Sequence, residues 1–90
     1  MRKVTEQILF AFNRNMTRKV DNTLCTGDSV LLHGNKIVKR ENGKVFISTA
    51  GWDTRTTVER LNAFTNKRVH VKKGQLMLGE QAWDGNWTEA

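Results

Sequence analysis

The spacing of apolar residues changes period along the chain, and each change marks an element. Val4, Ile8, Ala11, Phe12 and Met16 recur at helical spacing, as do Leu9, Phe12, Met16 and Val20. This predicts an amphipathic helix over residues 3–19. Arg2, Lys3, Gln7, Arg14 and Arg18 fall on its polar side, and Asp21-Asn22 with the Thr-rich stretch to Gly27 stops it. From Asp28 the period becomes two. Residues 29–33, 36–41 and 44–49 read as short strands separated by Gly34-Asn35 and Asn42-Gly43. The Asn42-Gly43 turn pairs Glu41 with Lys44, Lys39 with Phe46 and Val38 with Ile47. A Gly34-Asn35 turn pairs Leu31 with Val38, so Leu31, Val38 and Ile47 are expected to form one core row.

A strand-to-helix junction follows in Ser48-Thr-Ala-Gly-Trp-Asp-Thr-Arg-Thr-Thr-Val-Glu-Arg-Leu-Asn62. Thr56 and Glu59 have the spacing of a capping box, and Asp53 is a rival N-cap. Either start predicts a helix over about residues 56–65, with Val58, Leu61 and Phe64 inward. Residues 68–72 and 75–78, joined by Lys73-Gly74, read as a hairpin with Val69, Val71, Leu76 and Leu78 on one face. Trp83 falls opposite Leu76 on the core side. Gly79-Glu80 and Asp84-Gly85 mark turns, leaving 81–83 and 87–89 as short final strands or a looped tail. The expected fold is α+β, a single domain over 1–90. It has an antiparallel sheet of five to seven short strands, an N-terminal helix, and a second short helix after the third strand.

Size narrows the functions available. Ninety residues bury only about 60% of the surface of the unfolded chain, so a deep substrate cavity is not expected. Nothing approaches the ~18 apolar residues of a membrane span. Ile8-Leu-Phe-Ala-Phe12 is too short for a signal-peptide core, and an intact protein of the bacterial host cytoplasm is expected. The lone Cys25 rules out an internal disulfide and reads as a small buried apolar residue. Fifteen Lys and Arg against nine Asp and Glu give a net charge of +6. Residues 1–20 hold five of the basic groups and one acid, while Glu80, Asp84 and Glu89 make the C-terminus acidic. A basic body favours an anionic partner, DNA or RNA first.

Sites for chemistry are few. His33, His70 and Cys25 lack the spacing of a zinc site. No nucleophile elbow, His-Glu-x-x-His, Walker loop or Gly-x-Gly-x-x-Gly occurs, so no metal, cofactor or catalytic residue is assigned, and a non-enzymatic protein is expected. The candidates for nucleic-acid binding are Arg14, Arg18 and Lys19 on the outer side of the first helix, Lys39 in the meander, and Arg68, Lys72 and Lys73 on the hairpin, with Phe46 or Trp52 to stack a base. A second reading makes the chain a protein–protein module that inhibits or redirects a host enzyme or defence complex. Trp52, Arg55 and Arg60 would be its interface residues, with Trp52 either packed under the helix or exposed as an anchor. A homodimer is compatible with both readings.

Leu32-His-Gly-Asn-Lys-Ile37, Ser48-Thr-Ala-Gly-Trp-Asp-Thr-Arg-Thr-Thr57, Glu59-Arg-Leu-Asn62, Lys73-Gly-Gln-Leu76 and Trp83-Asp-Gly-Asn-Trp87 together resemble a group of small proteins of tailed phages and prophages. The resemblance covers roughly residues 31–90 and is less distinct in the first helix. It carries over no activity and no catalytic residue. It implies a phage accessory protein, of the kind that binds a host protein or nucleic acid.

Overall fold

Turn chemistry decides where this chain folds back. In the computed structural model, which describes residues 2–90, His33-Gly34, Asn42-Gly43, Ala50-Gly51 and Lys73-Gly74 are pairs in which both residues have positive φ. Glycine is tolerant at such positions, and the right-handed strand twist favours them in two-residue hairpins. Around these turns the described residues form, in order, α1 (Lys3–Asn13), β1 (Thr17–Val20), β2 (Thr23–Thr26), β3 (Ser29–Leu32), β4 (Asn35–Glu41), β5 (Lys44–Ile47), α2 (Arg55–Leu61), β6 (Val69–Lys72), β7 (Gln75–Leu78), β8 (Gln81–Ala82) and β9 (Thr88–Glu89). Strands β1 to β5 make an antiparallel meander, with β9 returning beside β5; β6, β7 and β8 form a separate three-stranded sheet. The fold is α+β, as the pattern predicts, but the second helix follows the fifth strand rather than the third.

That displacement begins in the first element. Helix α1 stops at Asn13, six residues short of the predicted end. Asn15 takes the left-handed conformation at φ 54°. Its N–H bonds to the Phe12 carbonyl, and the Met16 N–H reaches Ala11 at 2.9 Å. These are the two bonds of a Schellman cap, with Asn in the place glycine usually takes. Arg40, from β4, adds its guanidinium to the Phe12 carbonyl at 2.9 Å and lies 4.0 Å from the Phe12 ring centroid. Cations stabilise helix C-termini, and this one does so from another strand. Residues 17–26, predicted as the end of the helix and a stop signal, pair instead as Thr17 with Thr26 through Val20 with Thr23.

The meander carries a second correction. The turn is His33-Gly34 rather than Gly34-Asn35, so Leu32 pairs with Asn35 and Leu31 with Lys36. Beyond Leu31 the register slips, Val30 meets Val38, and Ile37 is the extra residue. This β-bulge bends both Ile37 and Val38 inward, and both are fully buried. The core row is therefore Cys25, Val30, Val38 and Ile47, strand by strand, with Leu31 on the opposite face. The Asn42-Gly43 and Lys73-Gly74 hairpins have the predicted registers. Val71 nevertheless stays exposed, while its neighbours Val69 and Leu76 are buried.

Helix α1 packs Ile8, Ala11 and Phe12 onto the core row, and α2 adds Leu61. The Phe12 and Phe64 rings meet edge to face at 5.2 Å, the preferred aromatic geometry. Trp83 lies in the core as expected, 8% exposed. The predicted capping box is replaced: Thr54 is the N-cap of α2, its hydroxyl accepting from the Thr57 N–H at 3.2 Å. Glu59 turns away from the helix start to other partners.

The two blocks that stand out in the sequence dock on one another. The Gly85 carbonyl accepts from the Ser48 hydroxyl at 2.8 Å and from the Thr49 N–H at 2.9 Å. Trp83 Nε1 donates to the Asn86 carbonyl at 3.0 Å, and the Asp84 carboxylate takes the Asn86 N–H. A Cβ on Gly85, at φ +85°, would lie 2.3 Å from the Thr49 hydroxyl, whereas one on Gly74, at φ +79°, would meet nothing. Gly74→Ala should therefore lose about 1 kcal/mol, the left-handed penalty alone. Gly85→Ala should lose at least about 3 kcal/mol as clash adds to strain. Urea denaturation of both variants checks the difference.

Candidate functional site: an open sheet face and a tryptophan-walled pocket

Opposed residues in an antiparallel sheet project to the same face. The core row of the meander thus fixes what lies on the other side. One outer row runs Lys19, Leu24, Leu31, Lys36 across β1 to β4. A second runs Ser29, Lys39, Phe46, Glu89 across β3, β4, β5 and β9. Both helices pack on the core side, so this face is uncovered by them. Lys39 is its centre: its ammonium lies 4.5 Å from the Trp87 ring centroid and 5.9 Å from that of Phe46. It also pairs with Glu41 at 3.0 Å, and Lys44 pairs with Glu89 at 3.7 Å. Four lysines against two glutamates leave this face net positive, with two aromatic rings beneath the central cation.

The other predicted cations are spread over separate elements. Arg14, at the end of α1, stacks on the exposed Phe10 ring at 3.7 Å. Arg18, in β1, donates to Gln7 at 3.2 Å. Arg68, Lys72 and Lys73 are exposed on the β6–β7 hairpin, which belongs to the other sheet. Lys36, Lys44 and Trp87 are not among the predicted nucleic-acid residues, and Lys19, expected on the outer side of the first helix, lies in β1. Their signal was the period-two alternation within strands, legible only once β1 and the bulge in β4 are known.

Of the three predicted interface residues, the structure separates one. Trp52 is 59% exposed and Arg55 is exposed at the start of α2. Arg60 is 2% exposed, so its assignment to a partner surface is corrected. Its Nε donates to the Thr23 hydroxyl at 3.2 Å, one Nη donates to the Thr5 hydroxyl at 2.9 Å, and the same nitrogen pairs with Glu59. A guanidinium buried in a thin core requires such partners. The sequence places Arg60 one step before Leu61, and a seven-residue helix turns both toward the interior.

Glu59 completes that cluster, accepting from the Thr5 hydroxyl at 2.6 Å and from the Arg2 N–H at 3.4 Å. Burial alone would push its carboxyl up. The Thr5 hydroxyl, the Arg2 amide and the Arg60 guanidinium together outweigh burial and hold it below the ordinary value of 4.5.

Beside Trp52 lies a pocket of about 470 Å³ on the helix side of the sheet. Leu32, Asn35 and Ile37 line it from the β3–β4 hairpin, and Thr49, Trp52, Thr54, Thr56 and Thr57 from the junction, with His33 at the turn. The Thr49 hydroxyl is the one buried side-chain polar atom without a hydrogen-bond partner among the described residues. His33 shares a hydrogen bond of 3.2 Å with Asn22, and Thr54 and Thr57 join hydroxyls at 3.0 Å.

Among the described residues no cluster of three His, Cys, Asp or Glu stands ready to hold a metal ion. Among the described residues no helix is long and apolar enough to cross a membrane. Fold and surface together define a small α+β protein with an uncovered basic sheet face and a neutral pocket. The chain belongs to the Kyanoviridae Gp96 protein family, whose model matches residues 1–89, and is thus a phage protein. No curated protein and no solved structure matches it.

The buried cluster has a pH signature. Because the Glu59 carboxyl is depressed in the folded state, its contribution is fully present above the unfolded value. It is lost as pH falls through the folded value. The wild-type urea midpoint should therefore drop more between pH 7 and pH 3 than that of Glu59→Gln, whose side chain does not titrate.

Proposed function

We propose that this phage protein is a non-enzymatic accessory protein that binds single-stranded nucleic acid on the open face of its meander. The supporting observation is the arrangement around Lys39: an ammonium over two aromatic rings, flanked by Lys19, Lys36 and Lys44 on a face that neither helix covers. Single strands are held by such a combination, in which bases stack on aromatic rings and cations follow the phosphates. A flat sheet suits this task better than duplex binding, because no helix is offered to a major groove. Trp87, 40% exposed, is the stacking surface, and Lys39 serves both ring and phosphate. Arg14, Arg18, Arg68, Lys72 and Lys73 contribute to the general field that draws a polyanion.

Exposure of Trp52 and Arg55 is what favours the second reading, a module for a host protein. The nucleic-acid reading has the more specific geometry, since it uses a face with both cations and rings. Affinity for a single-stranded oligonucleotide should fall about fiftyfold between about 50 and 200 mM salt, the slope of four phosphate contacts. Trp87→Ala should weaken it about tenfold. The absence of binding at micromolar protein in about 50 mM salt, with capture of a stoichiometric host protein that survives nuclease treatment, would favour the module instead.

A further inference from the structure

The pocket beside Trp52 is used by none of the interactions above, and its chemistry is distinct from that of the lysine face. We propose that it binds a flat, uncharged ring with hydrogen-bonding groups along its edge, the chemical class of a nucleobase. Three features carry this. First, apart from His33, no lining residue is ionisable, so a charged group entering the pocket would lose its hydration with no counter-ion to replace it. Second, Trp52, 59% exposed, lines the pocket together with the buried Leu32 and Ile37, so a planar ring entering it meets an indole and apolar side chains. Third, polar side chains join the lining: Asn35 comes from the β3–β4 hairpin, and Thr54, Thr56 and Thr57 come from the junction.

This third feature separates a base from an aliphatic or aromatic peptide side chain. The Asn35 amide nitrogen donates to the His33 carbonyl at 3.5 Å, but a purely apolar guest would take water from the Asn35 side-chain oxygen and the Thr56 hydroxyl without replacing it, and unpaired buried polar groups are costly. A nucleobase carries donors and acceptors along one edge and matches both amide and hydroxyl. The volume, about 470 Å³, lies in the range of small-molecule sites, about 300–1,000 Å³. Leu32 and Asn35 pair with each other, and Leu32 also pairs with the buried Thr23, so the pocket opens on the opposite side of the sheet from Lys39. The proposal therefore stands or falls separately from the sheet-face reading.

The test uses the full chain labelled with ¹⁵N, in which the three tryptophans give separate indole signals, that of Trp52 assigned with Trp52→Phe. The probes are free adenosine, guanosine, cytidine and uridine, a short single-stranded oligonucleotide, and toluene as an apolar guest without a polar edge. At least one nucleoside or the oligonucleotide should shift the Trp52 indole and the Asn35 side-chain amide saturably. Trp52→Ala should weaken that binding about tenfold while the rest of the spectrum stays folded. Asn35→Leu should weaken the nucleobase response by a similar factor and leave toluene binding unchanged or tighter. Lys39→Ala should leave nucleoside shifts unchanged. Saturation by free nucleosides identifies a free base or nucleoside as the source, whereas a response to the oligonucleotide alone identifies an unpaired base within a strand. Nucleobase probes that leave Trp52 unmoved would overturn the proposal. So would toluene binding as well as the nucleosides with Asn35→Leu affecting neither, since that describes a plain apolar groove.

Discussion

The rest of the structure depends on the buried guanidinium of Arg60. It is held by a hydroxyl from α1, a hydroxyl from β2 and the neighbouring carboxylate on α2, so three elements distant in sequence meet at one charge. A domain this small has little apolar area to spare, and a cation in its interior is tolerated because a carboxylate and two hydroxyls pair with it. The same pairing extends outward, through Thr23 to Asn22 and from there to His33 at the edge of the pocket. Helix α2, only seven residues long, is too short to be stable by itself in water. Its position is set by this polar anchor and by Leu61.

A second cation has a related task. Arg40 closes the C-terminus of α1 by accepting nothing and donating to Phe12, Gly27 and Asn15. Of the fifteen basic residues, Arg60 is buried and Arg40 half-buried, and both are committed to holding helices against the meander. Net charge alone overstates what is offered to a partner. The positive field that remains useful is the part arranged in rows on the open sheet face, where alternation of strand residues puts lysines and aromatic rings on one side and the core on the other. Docking of the Trp83–Trp87 loop onto Ser48 and Thr49 brings Trp87 to that face and closes the far edge of the sheet through β9.

Much of this was legible in the sequence, and the misses share a cause. The Asn42-Gly43 and Lys73-Gly74 turns specify their registers locally, because their backbone conformation admits few residues. The Gly79-Glu80 turn, pairing Leu78 with Gln81, brings Trp83 opposite Leu76 on the core side. The first helix was overread because Met16 and Val20 continue the helical period by coincidence, while Asn15 ends the helix through a left-handed cap that asparagine signals only weakly. The core row was shifted because the choice between His33-Gly34 and Gly34-Asn35 decides the register, and a one-residue change moves a strand's side chains to the opposite face. Arg60 was misplaced for a different reason: its partners Thr5 and Thr23 lie 55 and 37 residues away, and no local pattern announces such a meeting. The junction block Ser48–Asn62 is thus divided, with Ser48, Thr49, Thr54, Thr57, Glu59 and Arg60 occupied within the fold and Trp52 presented to solvent.

That division is tested most directly by comparing the unfolding free energies of Arg60→Met and Trp52→Ala. Methionine keeps much of the buried stem but leaves the Glu59 carboxylate and two hydroxyls without their donor, which should destabilise the protein by about 2–3 kcal/mol. Removal of an exposed indole should change stability by no more than about 0.5 kcal/mol. An Arg60→Met protein as stable as wild type, or a Trp52→Ala protein that unfolds as readily as the Arg60 variant was expected to, would contradict the account.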